Sequence, residues 1–348
     1  MRFYGMKDTK KVQLVLGCGG ARGIAHIGVI DKLLADGYEI AEVVGCSMGA
    51  VVGGLYCSGH LPAYKEWLLK LVKSDIYRLF DFTLSKQGWV KGEKIFSVLH
   101  EMTGEVLIEN LPIPFTAVAT DMASRTEIHF KTGNLHKALR ASTGIPGIFT
   151  PIVDEKKLYV DGGVLNPLPL NLVKKRDDTI VVAVNLNGTN AEPPAVEIAE
   201  DAAEKSNNPE ESTDMISRFK KYFSSIAKES AIEKEKPEEL PNLSWYEILS
   251  ASYDASLDRL ADMMIMVHPP DVLIEIPRNT CSVFEFYRAE ELIKAGEQAY
   301  ELAMARKDEP RRYNFWETVL KAFNDPDIKI GGITDLFSQE KSEDSKEA

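Results

Sequence analysis

Ser47 sits in Gly45-Cys46-Ser47-Met48-Gly49, between the mostly apolar run Ala41 to Val44 and the small-residue run Ala50 to Leu55. That order reads as strand, sharp turn, helix. It holds a serine hydroxyl out at a helix N-terminus, with glycines on either side where side chains would clash. The chemistry open to such a serine is nucleophilic acyl transfer. It needs a base, donors for a developing oxyanion and an acyl pocket. For the pentapeptide taken alone, the competing reading is a tight strand-to-helix turn with no chemistry.

Two further motifs supply the missing parts. Upstream, Leu14-Val15-Leu16 runs into Gly17-Cys18-Gly19-Gly20-Ala21-Arg22-Gly23, after which Ile24, Ile27, Ile30, Leu33 and Leu34 share one helical face. The N–H groups of Gly19, Gly20 and Ala21 stand at the mouth of that helix, where negative charge is favoured. Arg22 adds a fixed positive charge nearby. Downstream, Leu158-Tyr159-Val160-Asp161-Gly162-Gly163 closes a short apolar strand on an acid, and the two glycines let backbone approach it closely. Asp161 is the only acid of the chain in a strand-end, Gly-Gly context.

In this order the three motifs resemble those of the patatin-like phospholipase family: its G-G-x-R-G oxyanion loop, its G-x-S-x-G elbow and its D-G-G/A acid motif. Ala117 to Asp121, Ala138 to Gly147 and Val181 to Leu186 are also similar to family signatures. The resemblance covers residues 11–188 closely and resumes near 250–305, where it is most similar to short bacterial members related to the neuropathy-target-esterase catalytic domain. It implies an α/β protein with a three-layer α/β/α fold and a mostly parallel central sheet. It also implies lipid acyl hydrolysis in which Asp161 acts directly as base on Ser47, a dyad with no histidine. Cys18 occupies a loop position that the family often fills with glycine or serine, and it is small enough to leave the loop intact.

Rival readings of the motifs are weaker. A dinucleotide fingerprint would need a third glycine where Arg22 stands, and an acid for the ribose where the second strand instead ends in Gly45-Cys46-Ser47. A phosphate loop would need Gly-Lys-Ser/Thr, which does not follow. A Ser-Asp-His triad of the α/β-hydrolase kind has a candidate in His268, after Ser47 and Asp161 in chain order. But that histidine lies in Val267-His268-Pro269-Pro270, and the oxyanion loop and elbow fall in consecutive β-α units, without the several strands that normally precede such an elbow. His26 reads as a packed or capping residue, and His60, His100, His129 and His136 lie in unrelated contexts. Asp121 ends a strand and reads as a turn residue in preference to a second catalytic acid. No metal-ligand spacing is present, so neither metal nor cofactor is expected.

The strands that must position these residues are expected at 12–17, 41–46, 114–119, 157–161 and 179–186, alternating with helices at 24–36, 48–58, 62–73, 92–103 and 135–142. A long helix over 245–266, a strand over 271–276 and a last helix over 284–306 complete the fold. The expected organisation is an N-terminal segment at 1–10, a catalytic core at 11–188, an acidic linker with an amphipathic helix at 189–240, the C-terminal part of the catalytic fold at 241–306 and an extension at 307–348, partly disordered. Residues 74–91 insert Tyr77, Phe80, Phe82 and Trp89, which read equally as an acyl-pocket wall or as ordinary packing. Ile216, Phe219, Phe223 and Ile226 recur at helical spacing beside Arg218, Lys220, Lys221 and Lys228. This helix either packs on the body or touches anionic lipid.

Composition narrows the function classes. A net charge of −12 argues against nucleic acid as a partner and against a wholly basic membrane face. No run of eighteen apolar residues and no signal-peptide core are present, and the four cysteines show no pairing pattern. With what the family resemblance implies, the expectation is a cytoplasmic serine lipid acyl hydrolase, in peripheral contact with membrane, acting on a phospholipid or lysophospholipid. Two alternatives are an esterase or thioesterase on soluble acyl substrates, and a regulatory or binding protein that keeps the fold.

Overall fold

The computed structural model describes residues 10–81, 88–188 and 245–307. The acidic stretch, the amphipathic segment from Ile216 to Lys228 and the C-terminal extension expected from the sequence lie outside the described residues. Strands are β1 (Lys11–Leu16), β2 (Glu39–Cys46), β3 (Gly88–Val90), β4 (Phe115–Asp121), β5 (Thr126–Phe130), β6 (Gly147–Phe149), β7 (Ile152–Asp154), β8 (Lys157–Asp161), β9 (Ile180–Gly188) and β10 (Val272–Pro277). Helices are α1 (Ala25–Ala35), α2 (Met48–Cys57), α3 (Leu61–Leu69), α4 (Lys73–Leu79), α5 (Glu93–Thr103), α6 (Leu135–Ser142), α7 (Trp245–Val267) and α8 (Ala289–Ala305).

The main sheet runs β10-β9-β1-β2-β4-β8-β7, with β5 also paired to β4. From β10 to β4 every pairing is parallel. Beyond β4 the pairings are antiparallel. The parallel strands β1, β4 and β9 are predominantly apolar and buried along almost their whole length, as strands covered on both faces must be. On one face, Leu14, Leu16, Val182 and Val184 pack against Ile27 and Ile30 of α1, Leu55 of α2 and Leu292 of α8. On the other, Val15, Val181 and Ala183 pack against Leu168, Leu170 and, from α7, Ala261 and Ile265. The fold is thus α/β in three layers, as the sequence implies. The second outer layer, among the described residues, is thin: α7 and the irregular segment before β9.

The register along β4 decides where the site forms. Residues 115–118 of β4 pair with β2, ending at Cys46 opposite Val118. Residues 119–121 pair with β8, beginning at Asp161 opposite Ala119. Strand β5 pairs with β4 at both Val118 and Ala119, so it occupies the opposite edge. Hence β2 and β8 share one edge of β4 and approach each other end to end, one parallel to it and one antiparallel. The chain leaves β2 at Ser47 and β8 at Gly162, beside adjacent β4 residues.

Two expected elements differ. The single helix expected over 62–73 is α3 followed by α4, parted at Lys70 to Val72. The last helix expected over 284–306 starts only at Ala289. Before it, 281–285 run irregularly into a single 3-10 turn at Phe286–Arg288, and this segment carries Val283, Phe284 and Phe286 toward the glycine loop. Glu285 holds that segment by accepting from Ser282 N–H and Arg288 Nη1.

Candidate active site

Ser47 closes β2 at φ 56°, ψ −125°, a left-handed backbone that a residue with a β-carbon adopts only under strain. The turn is tight enough that a β-carbon on Gly49 would lie 2.2 Å from Leu16 O, and one on Gly45 would lie 2.4 Å from Gly49 O. No side chain larger than hydrogen fits either place, so the two glycines of the elbow are set by close backbone approach. The result is a buried serine at the first turn of α2.

Its hydroxyl donates to Asp161 Oδ2 at 2.5 Å. The other carboxylate oxygen, Oδ1, accepts from Gly163 N–H at 2.7 Å and lies 3.9 Å from the Cys46 thiol. Burial pushes the Asp161 carboxyl up to about 6, while the bonds from Ser47, Gly163 and Cys46 hold it down against that cost. Gly162 lies against β4, where a β-carbon would come within 2.3 Å of Val118 O. The glycines after Asp161 therefore have separate tasks: Gly162 admits the chain, and Gly163 donates to the carboxylate.

The glycine loop lies over the elbow. Gly17 N–H donates to Val184 O, and Gly17 O accepts from His26 Nε2 at 3.0 Å. Burial drives His26 down to about 4, so it is a neutral brace behind the loop and not a base. Gly20 sits at φ 57°, and a β-carbon there would meet Val283 at 2.6 Å. A β-carbon on Gly23 would meet Met48 Cβ at 2.3 Å, which locks loop to elbow. The N–H groups of Gly19 and Gly20 make no hydrogen bond among the described residues, nor do those of Met48 and Gly49. Ala21 is a correction to the sequence reading: its N–H donates to Val283 O at 2.9 Å and is not available to an oxyanion. Arg22 is a second correction. Its buried guanidinium donates to Leu186 O, Cys281 O and Asn187 Oδ1, so it clamps the loop to β9 and to the segment before α8.

Two cavities meet at Ser47. One is almost wholly apolar and is walled by Trp67 and Leu68 of α3, Ile76 and Leu79 of α4, Phe96 of α5 and Phe149 of β6. The other, larger and more polar, opens past Arg22, Asp161 and Asn187 to Tyr253 and Asp254 of α7. Gly20, Ile145, Val283 and Phe284 line both. Phe80, from the aromatic insertion, is part of the first wall.

The histidine alternative does not assemble. His268 is exposed at the far end of α7, about 20 Å along that helix from Asp254 at 1.5 Å per residue. Asp121 accepts from Ala123 N–H, Leu158 N–H and Ser124 Oγ, which makes it the turn residue the sequence suggested. Ser142, Gly144, Asn187 and Val283 were not singled out in the sequence. The first two lie in the Ala138 to Gly147 stretch, which carried a signature but no role, and Val283 has no periodicity to mark it.

Residues 14–174 match the family model described as patatin-like phospholipase. An uncharacterized NTE family protein of Mycobacterium tuberculosis is 36% identical over 323 residues, covering 83% of this chain and 90% of its own. Neuropathy target esterase sws of Drosophila melanogaster is 31% identical over 182 residues, covering 50% of this chain and 13% of its own. VipD from Legionella pneumophila superposes with a TM-score of 0.41 at 14% identity, over 86% of this chain and 67% of that one.

Proposed function

The chain belongs to the NTE family of patatin-like phospholipases, a family of lipid acyl hydrolases, and from that premise we propose that it hydrolyses the acyl ester of a phospholipid or lysophospholipid through a Ser47–Asp161 dyad. The observation that carries this reading is the 2.5 Å bond from Ser47 Oγ to Asp161 Oδ2, with no histidine among the partners of Asp161 in the described residues.

As the Ser47 Oγ–H proton moves to Asp161 Oδ2, Oγ attacks the ester carbonyl carbon. The carbonyl oxygen becomes an oxyanion, for which the free N–H groups of Gly19 and Gly20 are donors at the mouth of the first helical turn. When the C–O bond breaks, Asp161 returns the proton to the leaving alcohol. Water then attacks the acyl-serine, giving its proton to Asp161 and from there to Ser47, and the fatty acid departs. A carboxyl raised to about 6 is mostly ionised at neutral pH yet basic enough to take a proton, which suits both halves of the cycle.

The apolar cavity is the place for the acyl chain, and the larger, more polar one the place for the remainder of the lipid. Lipid contact is peripheral in this reading: among the described residues no helix is long and apolar enough to cross a membrane. The test is turnover of phospholipid and lysophospholipid vesicles against pH. Fatty-acid release should rise as pH passes about 6 and then level, as Asp161 ionises. A rate that falls over that interval, or no release from any acyl lipid, contradicts the proposal.

A further inference from the structure

The two members of the dyad arrive on strands that do not pair with each other. β2 and β8 meet end to end on β4, and among the described residues no backbone hydrogen bond joins Ser47 to Asp161. Ser47 is moreover held in a strained conformation, which persists only where its surroundings over-determine it. Something outside both strands must fix their separation.

The end of α6 touches both. This helix is capped at its N-terminus by the side chain of Asn134, which accepts from Lys137 N–H, and it ends at Ser142. Ser142 is fully buried. Its hydroxyl accepts from Ser47 N–H at 2.9 Å and donates to Val118 O at 2.6 Å, so one oxygen ties the elbow to β4. Two residues later Gly144 O accepts from Asp161 N–H at 2.9 Å. A β-carbon on Gly144 would come within 3.3 Å of Val160 Cα, so the turn lies hard against the end of β8. Thr143, between them, lines the apolar cavity.

We propose that the turn Ser142-Thr143-Gly144 is a clasp that sets the distance between Ser47 and Asp161, with Ser142 as a positioning residue for the nucleophile. The clasp rests on the dyad reading above, and Ser142 touches no reacting atom. Its side chain fixes the backbone of Ser47, and its neighbour's carbonyl fixes the backbone of Asp161. Misplacement of a reacting group by about 1 Å costs on the order of a hundredfold in rate, so a small loosening should be visible.

The test is Ser142→Ala on the full chain, with kcat, KM and the pH dependence of hydrolysis of a soluble p-nitrophenyl ester. The clasp predicts a kcat lower by about ten- to a hundredfold with KM within about twofold. It also predicts that the midpoint of the pH profile moves above about 6, because the bond from Ser47 that holds the Asp161 carboxyl down is weakened. Ser142→Thr keeps the hydroxyl and should bring the midpoint back. Leu33→Ala, a buried change in α1 remote from the site, should lower the melting temperature with kcat and midpoint unchanged.

If Ser47→Ala is inactive but folded Ser142→Ala keeps the wild-type kcat and midpoint, the clasp is wrong and the dyad stands. If Ser47→Ala itself retains turnover, the dyad reading falls and the clasp with it. Should Ser142→Ala fail to fold, Gly144→Ala decides the matter. Its β-carbon presses on Val160 and moves Asp161, so a raised midpoint supports the clasp and a wild-type profile overturns it.

Discussion

The nucleophile and the base are presented by two halves of one sheet built on different principles. In the parallel half, backbone geometry does the positioning. β2 is buried over its last four residues, the elbow carries Ser47 at a positive φ, and glycines press strand, loop and helix to within backbone contact. In the antiparallel half, β7 and β8 are short and partly exposed, and Asp161 leaves the sheet with a negative φ of −48°. What is set there is the environment: a carboxyl buried with three donors and raised to about 6. Strain places the nucleophile, and desolvation tunes the base. Substitutions in the two halves should therefore fail in different ways.

The largest effect removes the chemistry from either half. Ser47→Ala and Asp161→Asn should each lower kcat by about ten-thousandfold or more in a folded protein, and the double variant should be little worse, because the two act as one unit. Multiplying losses in the double variant would show that they act separately.

Next comes geometry in the parallel half. Gly49→Ala forces a β-carbon to 2.2 Å from Leu16 O, backbone that cannot yield cheaply. It should destabilise by about 3 kcal/mol, lowering the melting temperature by roughly 6 °C or more. An unchanged melting temperature would mean that the elbow is looser than its contacts imply.

A change of similar energy, spread over pH, belongs to the antiparallel half. The folded-state pKa of Asp161 lies above its unfolded value, so the native state favours the protonated form. Its contribution to stability is full at low pH and is lost as pH rises from about 4 to about 6. The loss amounts to about 3 kcal/mol, at 1.36 kcal/mol per pKa unit. Asp161→Asn should lack that component, so denaturant midpoints of the two proteins should diverge over this interval in favour of the variant at higher pH. Parallel curves would show that the carboxyl is not raised. The smallest effect is expected from His268→Ala, at the exposed end of α7. It should leave turnover within about twofold of wild type. Loss of activity there would reopen the triad.

The same contrast explains what the sequence made legible. Elbow, glycine loop and acid motif are local: each is a run of a few residues whose backbone demands glycine at fixed offsets, and each could be read without a partner. The parallel strands were legible for the same reason, as apolar β-branched runs between helices. β3, β5, β6 and β7 were not, because strands of three to five residues have no period long enough to register. The functions of Ala21 and Arg22 are not legible locally, because both depend on what lies across the loop. Val283 takes one donor and the carbonyls of Leu186 and Cys281 take the other, contacts made from up to 262 residues away that no local pattern encodes. Ser142 belongs to the same class: a serine at the end of a helix is unremarkable until β2 and β4 are brought beside it.

The dyad is tested most directly by rapid mixing of the full chain with a p-nitrophenyl ester, following the first turnover and then locating the acyl group by peptide mass. A burst of p-nitrophenol with the acyl group on Ser47, slowed by about a thousandfold or more in Asp161→Asn, is the predicted result. An acyl group on any other residue, or a burst in Asp161→Asn as fast as in the wild type, would contradict it.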